Sequence, residues 1–383
     1  MIDWYRVPPL ALDELKEYSM IKPLECVSRI KPYVPGKPVK ELERELGIKE
    51  CIKLASNENP AGPSPKAIAA LRKCLDKAHE LCRYPDGSGY YLKNALSQKL
   101  SAGGHKVATD EIMLGNGSNE LLDIAIRTFV DAGDEAVMAT PSFVVYSMGV
   151  QSAGGIAIEI PLRDYVHNLS AMADAINKKT RMVFIANPNN PTGTINRKAE
   201  FEAFMRRVPD GVLIVMDEAY FEYVRDPEYP DSLSFFADGR DILILRTFSK
   251  AYGLASLRIG YGIAKKEILE EMNKIREPFN TNALAQEAAL AALSDEDHLK
   301  RSIAINEEGK KYLSKELDDL GLRYVPTEAN FIYITLGSDS RGLFETLLRK
   351  GLIIRPVGPE QIRVTIGLPE ENKRFIEALK SSL

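Results

Sequence analysis

The sequence predicts an α/β protein: a three-layer large domain built on a mostly parallel sheet, followed by a smaller α+β domain. Three observations carry that prediction. Short, uncharged, β-branched runs such as 182–186, 212–216 and 242–245 alternate with helical stretches between about residues 111 and 264. Parallel strands buried under helices on both faces have this texture. After about Lys274 the pattern changes to an alanine-rich stretch, a long charged helix, and strands mixed with helices. At 383 residues the chain is also too long for one ordinary core. The expected division is an arm over 1–52 that joins the small domain, a large ligand-binding domain over 53–274, and a small domain over 275–383.

The elements follow in order. Pro8, Pro9, Pro23, Pro32, Pro35 and Pro38 predict an extended arm with one short helix over 11–18. A helix is expected over about 65–78, then a turn-rich loop at 83–89 whose Tyr84 and glycines suit the rim of a site. The next helix covers 91–100. A strand at 111–114 leads into Gly115-Asn116-Gly117-Ser118-Asn119-Glu120 and a helix over 121–130. Glycines after a strand, with Ser118 or Asn119 at a helix start, either offer backbone amides to a phosphate or form a well-capped turn. Glu120 stands where a dinucleotide fingerprint needs its third glycine. Strands are expected at 135–139, 156–160, 182–186, 212–216, 242–245 and 259–264, with helices starting at 143 and covering 169–177. Beyond them come helices over 281–293 and 295 to about 320, and a strand at 331–334. A helix over 342–350, strands at 352–355 and 361–366, and a helix over 370–380 complete the chain.

Composition narrows the function. Formal net charge is -4 with both signs interspersed, which gives no footprint for nucleic acid or a membrane surface. No apolar run is long enough to span a bilayer, and the start lacks the pattern of a secretory signal. Cys26, Cys51, Cys74 and Cys82 form no C-x-x-C pair, and the four histidines show no metal-ligand spacing. Reduced thiols in a cytoplasmic protein without a metal is the expectation.

The chemistry gathers at three strand ends. The run 182–186 enters Asn187-Pro188-Asn189-Asn190-Pro191-Thr192-Gly193, and 212–216 enters Asp217-Glu218-Ala219-Tyr220. The run 242–245 precedes Thr247-Phe248-Ser249-Lys250-Ala251-Tyr252-Gly253, with Arg258 beyond. In open α/β sheets ligands collect outside the carboxyl ends of the strands. Lys250 among small residues, beside the hydroxyls of Thr247 and Ser249 and the guanidinium of Arg258, suits pyridoxal phosphate held as a Schiff base. Asp217 fits the partner of the pyridine nitrogen, because a carboxylate paired with a cation keeps that cation protonated. Asn190 or Tyr220 fits a donor to the ring's 3-oxygen.

These motifs resemble the fold-type I, class II pyridoxal-phosphate aminotransferases over nearly the whole chain. The likeness is greatest to their histidinol-phosphate branch, including Ser-Asn-Glu-Asn-Pro at 56–60 and Arg-Tyr-Pro-Asp at 83–86. The resemblance implies that Lys250 bonds the cofactor and then shuttles a proton, and that Asp217, Asn190 and Tyr220 hold the ring. It places Gly117, Ser118, Asn119, Thr247, Ser249 and Arg258 around the phosphate, and Tyr84 reaching it from a neighbouring subunit of a homodimer. Phe143, in Thr-Pro-Ser-Phe, stands where the family stacks an aromatic on the ring; phenylalanine keeps the stacking and omits a hydroxyl. Tyr33, Asn59, Arg355 and Arg363 are implied to meet the substrate, and two guanidiniums and a phenol suit a phosphate dianion.

The function so implied is exchange of an amino group between histidinol phosphate and 2-oxoglutarate, giving imidazole-acetol phosphate and glutamate in histidine biosynthesis. An aromatic aminotransferase and a phosphothreonine decarboxylase on the same scaffold are the nearest alternatives. A regulator using the fold as a sensor is disfavoured by the absence of a DNA-binding segment. A nucleotide-binding protein is disfavoured because the phosphate-loop and dinucleotide motifs are missing.

Overall fold

The computed structural model describes residues 21–33, 36–77 and 81–383; the helix expected over 11–18 lies outside them. Its strands in chain order are β1 (Ile52–Lys53), β2 (Ile112–Gly115), β3 (Glu135–Thr140), β4 (Ile156–Pro161), β5 (Thr180–Ala186), β6 (Leu213–Asp217), β7 (Ile242–Thr247), β8 (Gly260–Ile263), β9 (Arg323–Val325), β10 (Phe331–Thr335), β11 (Leu352–Ile353), β12 (Arg355–Pro356) and β13 (Gln361–Thr365). Seven of them form one sheet in the order β2-β8-β7-β6-β5-β3-β4. All of its pairings are parallel except the two made by β8, which runs against both β2 and β7.

Alternate residues of the central strands feed two cores. Val183, Ile185, Ile214, Met216, Ile242 and Ile244 enter one face. Phe184, Leu213, Val215, Leu243 and Leu245 enter the other. With period-2 alternation, a strand apolar at every position must be covered on both sides, so the uninterrupted runs are explained by the two helical layers. This is the predicted α/β layering, a mostly parallel sheet covered by helices on both faces. A second sheet, antiparallel in the order β12-β13-β10-β9, carries its own core with the helices Glu296–Asp319, Ser340–Arg349 and Pro369–Lys380.

Three expectations change. The proline-rich arm is not only extended: it forms the helices Glu25–Ser28 and Val39–Leu46. Pro38 precedes the first turn of the second, where a missing N–H costs nothing, and Gly47 ends it in the left-handed conformation. Its Leu42 packs with Ala55 and Ile353. The single strand expected at 352–355 is two, because Leu352–Ile353 pairs with β1 while Arg355–Pro356 pairs with β13. The alanine-rich helix, observed as Ala283–Leu293, was expected with the small domain. Its Ala285, Ala288, Ala289 and Ala292 instead pack with Ala67, Leu92 and Leu96 in the large-sheet core, where small side chains let helices approach closely.

Candidate active site

Because β5, β6 and β7 are parallel, their carboxyl ends open on one side of the sheet, and backbone bonds tie the segments beyond them together. The Asn187 N–H donates to Asp217 O at 3.0 Å and the Glu218 N–H to Leu245 O at 2.9 Å. Above these ends lies a cavity of about 230 Å³. Of the residues anticipated from the sequence, Lys250, Asp217, Tyr220, Asn190, Ser118, Asn119, Phe143, Thr247, Ser249, Arg258, Tyr33 and Arg363 all line it.

Lys250 Nζ donates to Ser56 O at 3.1 Å and lies 5.5 Å from the centre of the Tyr220 ring. Burial lowers its pKa to about 7, and the charges of Arg363 and Arg258 act the same way, against the attraction of Glu58 and Asp217. Near neutrality a large share of this amine is therefore unprotonated, as a nucleophile and base must be. Asp217 ends β6 and is buried. Its Oδ2 accepts from the Tyr146 hydroxyl at 2.7 Å and its Oδ1 from the Ala219 N–H at 3.1 Å. Burial nonetheless raises its pKa above the usual carboxylate value, so the carboxylate gains from a cation brought against it.

An anion cradle forms one wall. The helix Ser118–Phe129 begins at Gly117 with no side chain capping it, which leaves first-turn amides to a ligand. Arg258, held at φ 57°, donates to Ser249 Oγ at 3.3 Å and to Ala255 O at 2.9 Å. Its guanidinium lies so close that a Cβ on Gly117 would come within 2.4 Å of Nη2, and Gly117 itself has φ +80°. The 117 position thus needs glycine for both space and conformation. The Ser249 N–H donates to Thr247 Oγ1 at 3.1 Å, which orients that hydroxyl.

On the small-sheet side, Arg363 donates through Nη2 to Ala55 O at 2.7 Å and through Nη1 to Asn190 Oδ1. Its Nε is buried without a hydrogen-bond partner among the described residues. Arg355 pairs opposite Arg363 in register, and its guanidinium stands 5.4 Å from the Tyr33 ring.

Four anticipated residues do not line the cavity: Gly117 stands behind the Arg258 guanidinium, Arg355 beside Arg363 and Tyr33, and Asn59 and Tyr84 lie farther off. Asn59 does not face the cavity; its amide donates to Ala251 O at 2.8 Å and Ser302 Oγ at 2.9 Å, bracing the back of the lysine segment. Tyr84 is 81% exposed and stacks on Phe279 with ring centres 4.6 Å apart, outside the cavity. Two residues were missed. Asn57, at φ 55°, donates from Nδ2 to the Tyr220 hydroxyl at 2.9 Å. Tyr146 stacks on Phe184 and meets Phe143 edge-on, which aims its hydroxyl at Asp217. The signal for Tyr146 was its place one helical turn after Phe143.

This donor set suits a flat, anionic cofactor with a basic ring nitrogen: a cationic cradle and free helix amides at one end, a buried carboxylate at the other, and an amine between. Residues 49–379 match the aminotransferase class I and II family, and the chain belongs to it. Within that family it is 50% identical, over 97% of its length and 95% of the relative's, to the histidinol-phosphate aminotransferase of Moorella thermoacetica. It is 48% identical to histidinol-phosphate aminotransferase 2 of Pseudomonas fluorescens, over 93% of this chain and 96% of that one. Among solved structures it superposes with a TM-score of 0.86 at 28% identity on the histidinol-phosphate aminotransferase of Sinorhizobium meliloti in complex with pyridoxal-5'-phosphate, over 96% of this chain and 99% of that one.

Proposed function

We propose that this chain is a pyridoxal-phosphate-dependent histidinol-phosphate transaminase, exchanging an amino group between histidinol phosphate and 2-oxoglutarate. The observation that carries the reading is the meeting, in one cavity, of a lysine whose pKa is lowered to about 7 with a buried carboxylate and a cationic cradle. The 50% identity to a relative of that name supports the choice of substrate. Pyridoxal phosphate, when bound, supplies an electron sink that stabilises charge left on the substrate carbon as its proton departs.

The chain's own residues do the rest. Lys250 anchors the cofactor and, once displaced by substrate, takes a proton at Nζ from the substrate carbon and returns it. Asp217, steadied by Tyr146 and the Ala219 amide, holds the ring nitrogen's proton. Tyr220, oriented by Asn57, and Asn190, whose Oδ1 is engaged by Arg363, offer donors to the ring's oxygen. Phe143 covers one face of the ring. Gly117, Ser118, Asn119, Thr247, Ser249 and Arg258 grip the phosphate. Arg363, Arg355 and Tyr33 bind the substrate's phosphate and, in the second half of the exchange, the dicarboxylate.

The working unit is a cytoplasmic homodimer in which Tyr84 reaches the neighbouring site; sedimentation at one-protomer mass under all concentrations would reject this. The large domain extends from residue 53 through the alanine-rich helix to about 294, a boundary moved from 274 by the packing of that helix.

Single-turnover absorbance tests the substrate. The cofactor-loaded protein should bleach fastest with histidinol phosphate and recover with 2-oxoglutarate. Faster bleaching with phenylalanine would make it an aromatic aminotransferase, and carbon dioxide release from phosphothreonine would make it a decarboxylase.

A further inference from the structure

A second cavity, of about 420 Å³, lies on the opposite side of the strand ends from Asp217, between the helix Tyr90–Ala102, strands β7 and β8, and the segment that follows β6. Its volume is within the range of small-molecule pockets. Leu96, Leu100, Leu233 and Leu299 supply apolar wall, and Phe221, Tyr252 and Tyr261 supply three aromatic rings. Lys99, His105 and Asp231 stand at the more exposed rim, where His105 Nε2 meets Asp231 Oδ2 at 2.8 Å.

The charges inside do not balance. Arg246 is buried, stacks 3.8 Å over Phe221, and is neutralised by Glu218 at 2.8 Å. Glu218 in turn accepts from the Ser232 hydroxyl at 2.6 Å, so this pair is complete. Glu222 also lines the cavity, and its Oε2 is buried with no hydrogen-bond partner among the described residues. Burial pushes its carboxyl up to about 7, and its charge acts on both Tyr252 and Tyr261. A buried carboxyl oxygen left without a donor keeps the cost of its lost hydration, and the more so when charged. Aromatic faces around such a group attract cations, since each ring face is electronegative.

We infer that this cavity is a binding site for a small organic cation with an apolar body, its charge set against the Glu222 carboxyl and among the rings of Phe221, Tyr252 and Tyr261. None of these four residues belongs to the cavity that holds Lys250, so the inference does not rest on the identity of the substrate.

Benzyltrimethylammonium is the probe, because it carries no N–H and cannot condense with the cofactor. Titration calorimetry on the cofactor-loaded protein should show saturable one-to-one binding with the cofactor absorbance unchanged. Glu222→Gln should weaken it about tenfold or more, while the neutral analogue neopentylbenzene should bind wild type no better than the probe binds that variant. Lys99→Ala, at the exposed rim, should tighten the probe severalfold by removing a competing cation. No saturable binding to wild type, or equal affinity in a folded Glu222→Gln protein, overturns the inference. Should Glu222→Gln fail to fold, an affinity unchanged by Lys99→Ala overturns it instead.

Discussion

Replacing Lys250 by Met in the cofactor-free protein should change how stability depends on pH. Unfolded, the lysine titrates near 10.5; folded, burial and the neighbouring charges of Arg363 and Arg258 lower that to about 7. Between the two values the unfolded chain binds a proton that the folded chain does not, so stability rises with pH across that window. Below about pH 7 the full penalty of a buried ammonium is present, and above 10.5 none remains. Each pH unit inside the window is worth about 1.4 kcal/mol. From about pH 7.5 to 9.5 the wild type should therefore gain about 2–3 kcal/mol relative to Lys250→Met, whose unbranched side chain fills much of the same space without titrating. Urea denaturation of both proteins at several pH values, read as the difference in midpoint, gives the slope. Parallel curves would show that the amine is as easily protonated folded as unfolded, and would remove its claim to act as a base at neutral pH.

Tyr146→Phe should remove the 2.7 Å bond to Asp217 and cost about 1.5–3 kcal/mol, as hydrogen bonds to charged groups do. A lower melting temperature of the cofactor-free protein together with faster cofactor loss would show it, and a change in neither would contradict the orienting role. Gly117→Ala should push Arg258 from its place and strain φ +80°, lowering cofactor affinity about tenfold by equilibrium dialysis while the fold survives. Arg355→Ala should raise KM for histidinol phosphate by about 10–100-fold and leave that for phenylalanine within about twofold, because a charge-assisted phosphate contact is lost and nothing else. Equal rises for both substrates would place Arg355 in structure rather than recognition.

Much of this was readable before the structure because burial on both faces leaves a strong mark. The runs at 182–186, 212–216 and 242–245 are apolar at every position, and each became a central strand. Direction leaves no such mark: nothing in the composition of Gly260–Ile263 distinguishes a strand running against its neighbours, and its reversal is made by the lysine segment, whose two ends stay paired through the Phe248 N–H to Ile259 O bond at 3.1 Å. Asn59 was expected at the substrate; the structure sets it behind the lysine segment while Asn57 meets Tyr220, for a reason equally local. The left-handed φ of Asn57 turns the chain there, so the two asparagines, which an extended segment would present on one side, serve different neighbours.

The adjacent carboxylates Asp217 and Glu218 show what alternation at a strand end achieves. Consecutive side chains leave opposite faces of the sheet, so Asp217 meets Tyr146 on one side while Glu218 meets Arg246 on the other. Glu218, fully buried, is neutralised by that guanidinium and by the Ser232 hydroxyl. Asp217 receives only a phenol and one amide, neither of them charged. Two carboxylates side by side in sequence are thereby made unequal: one is satisfied within the protein, and the other keeps its charge for a cation that the cavity has room to admit.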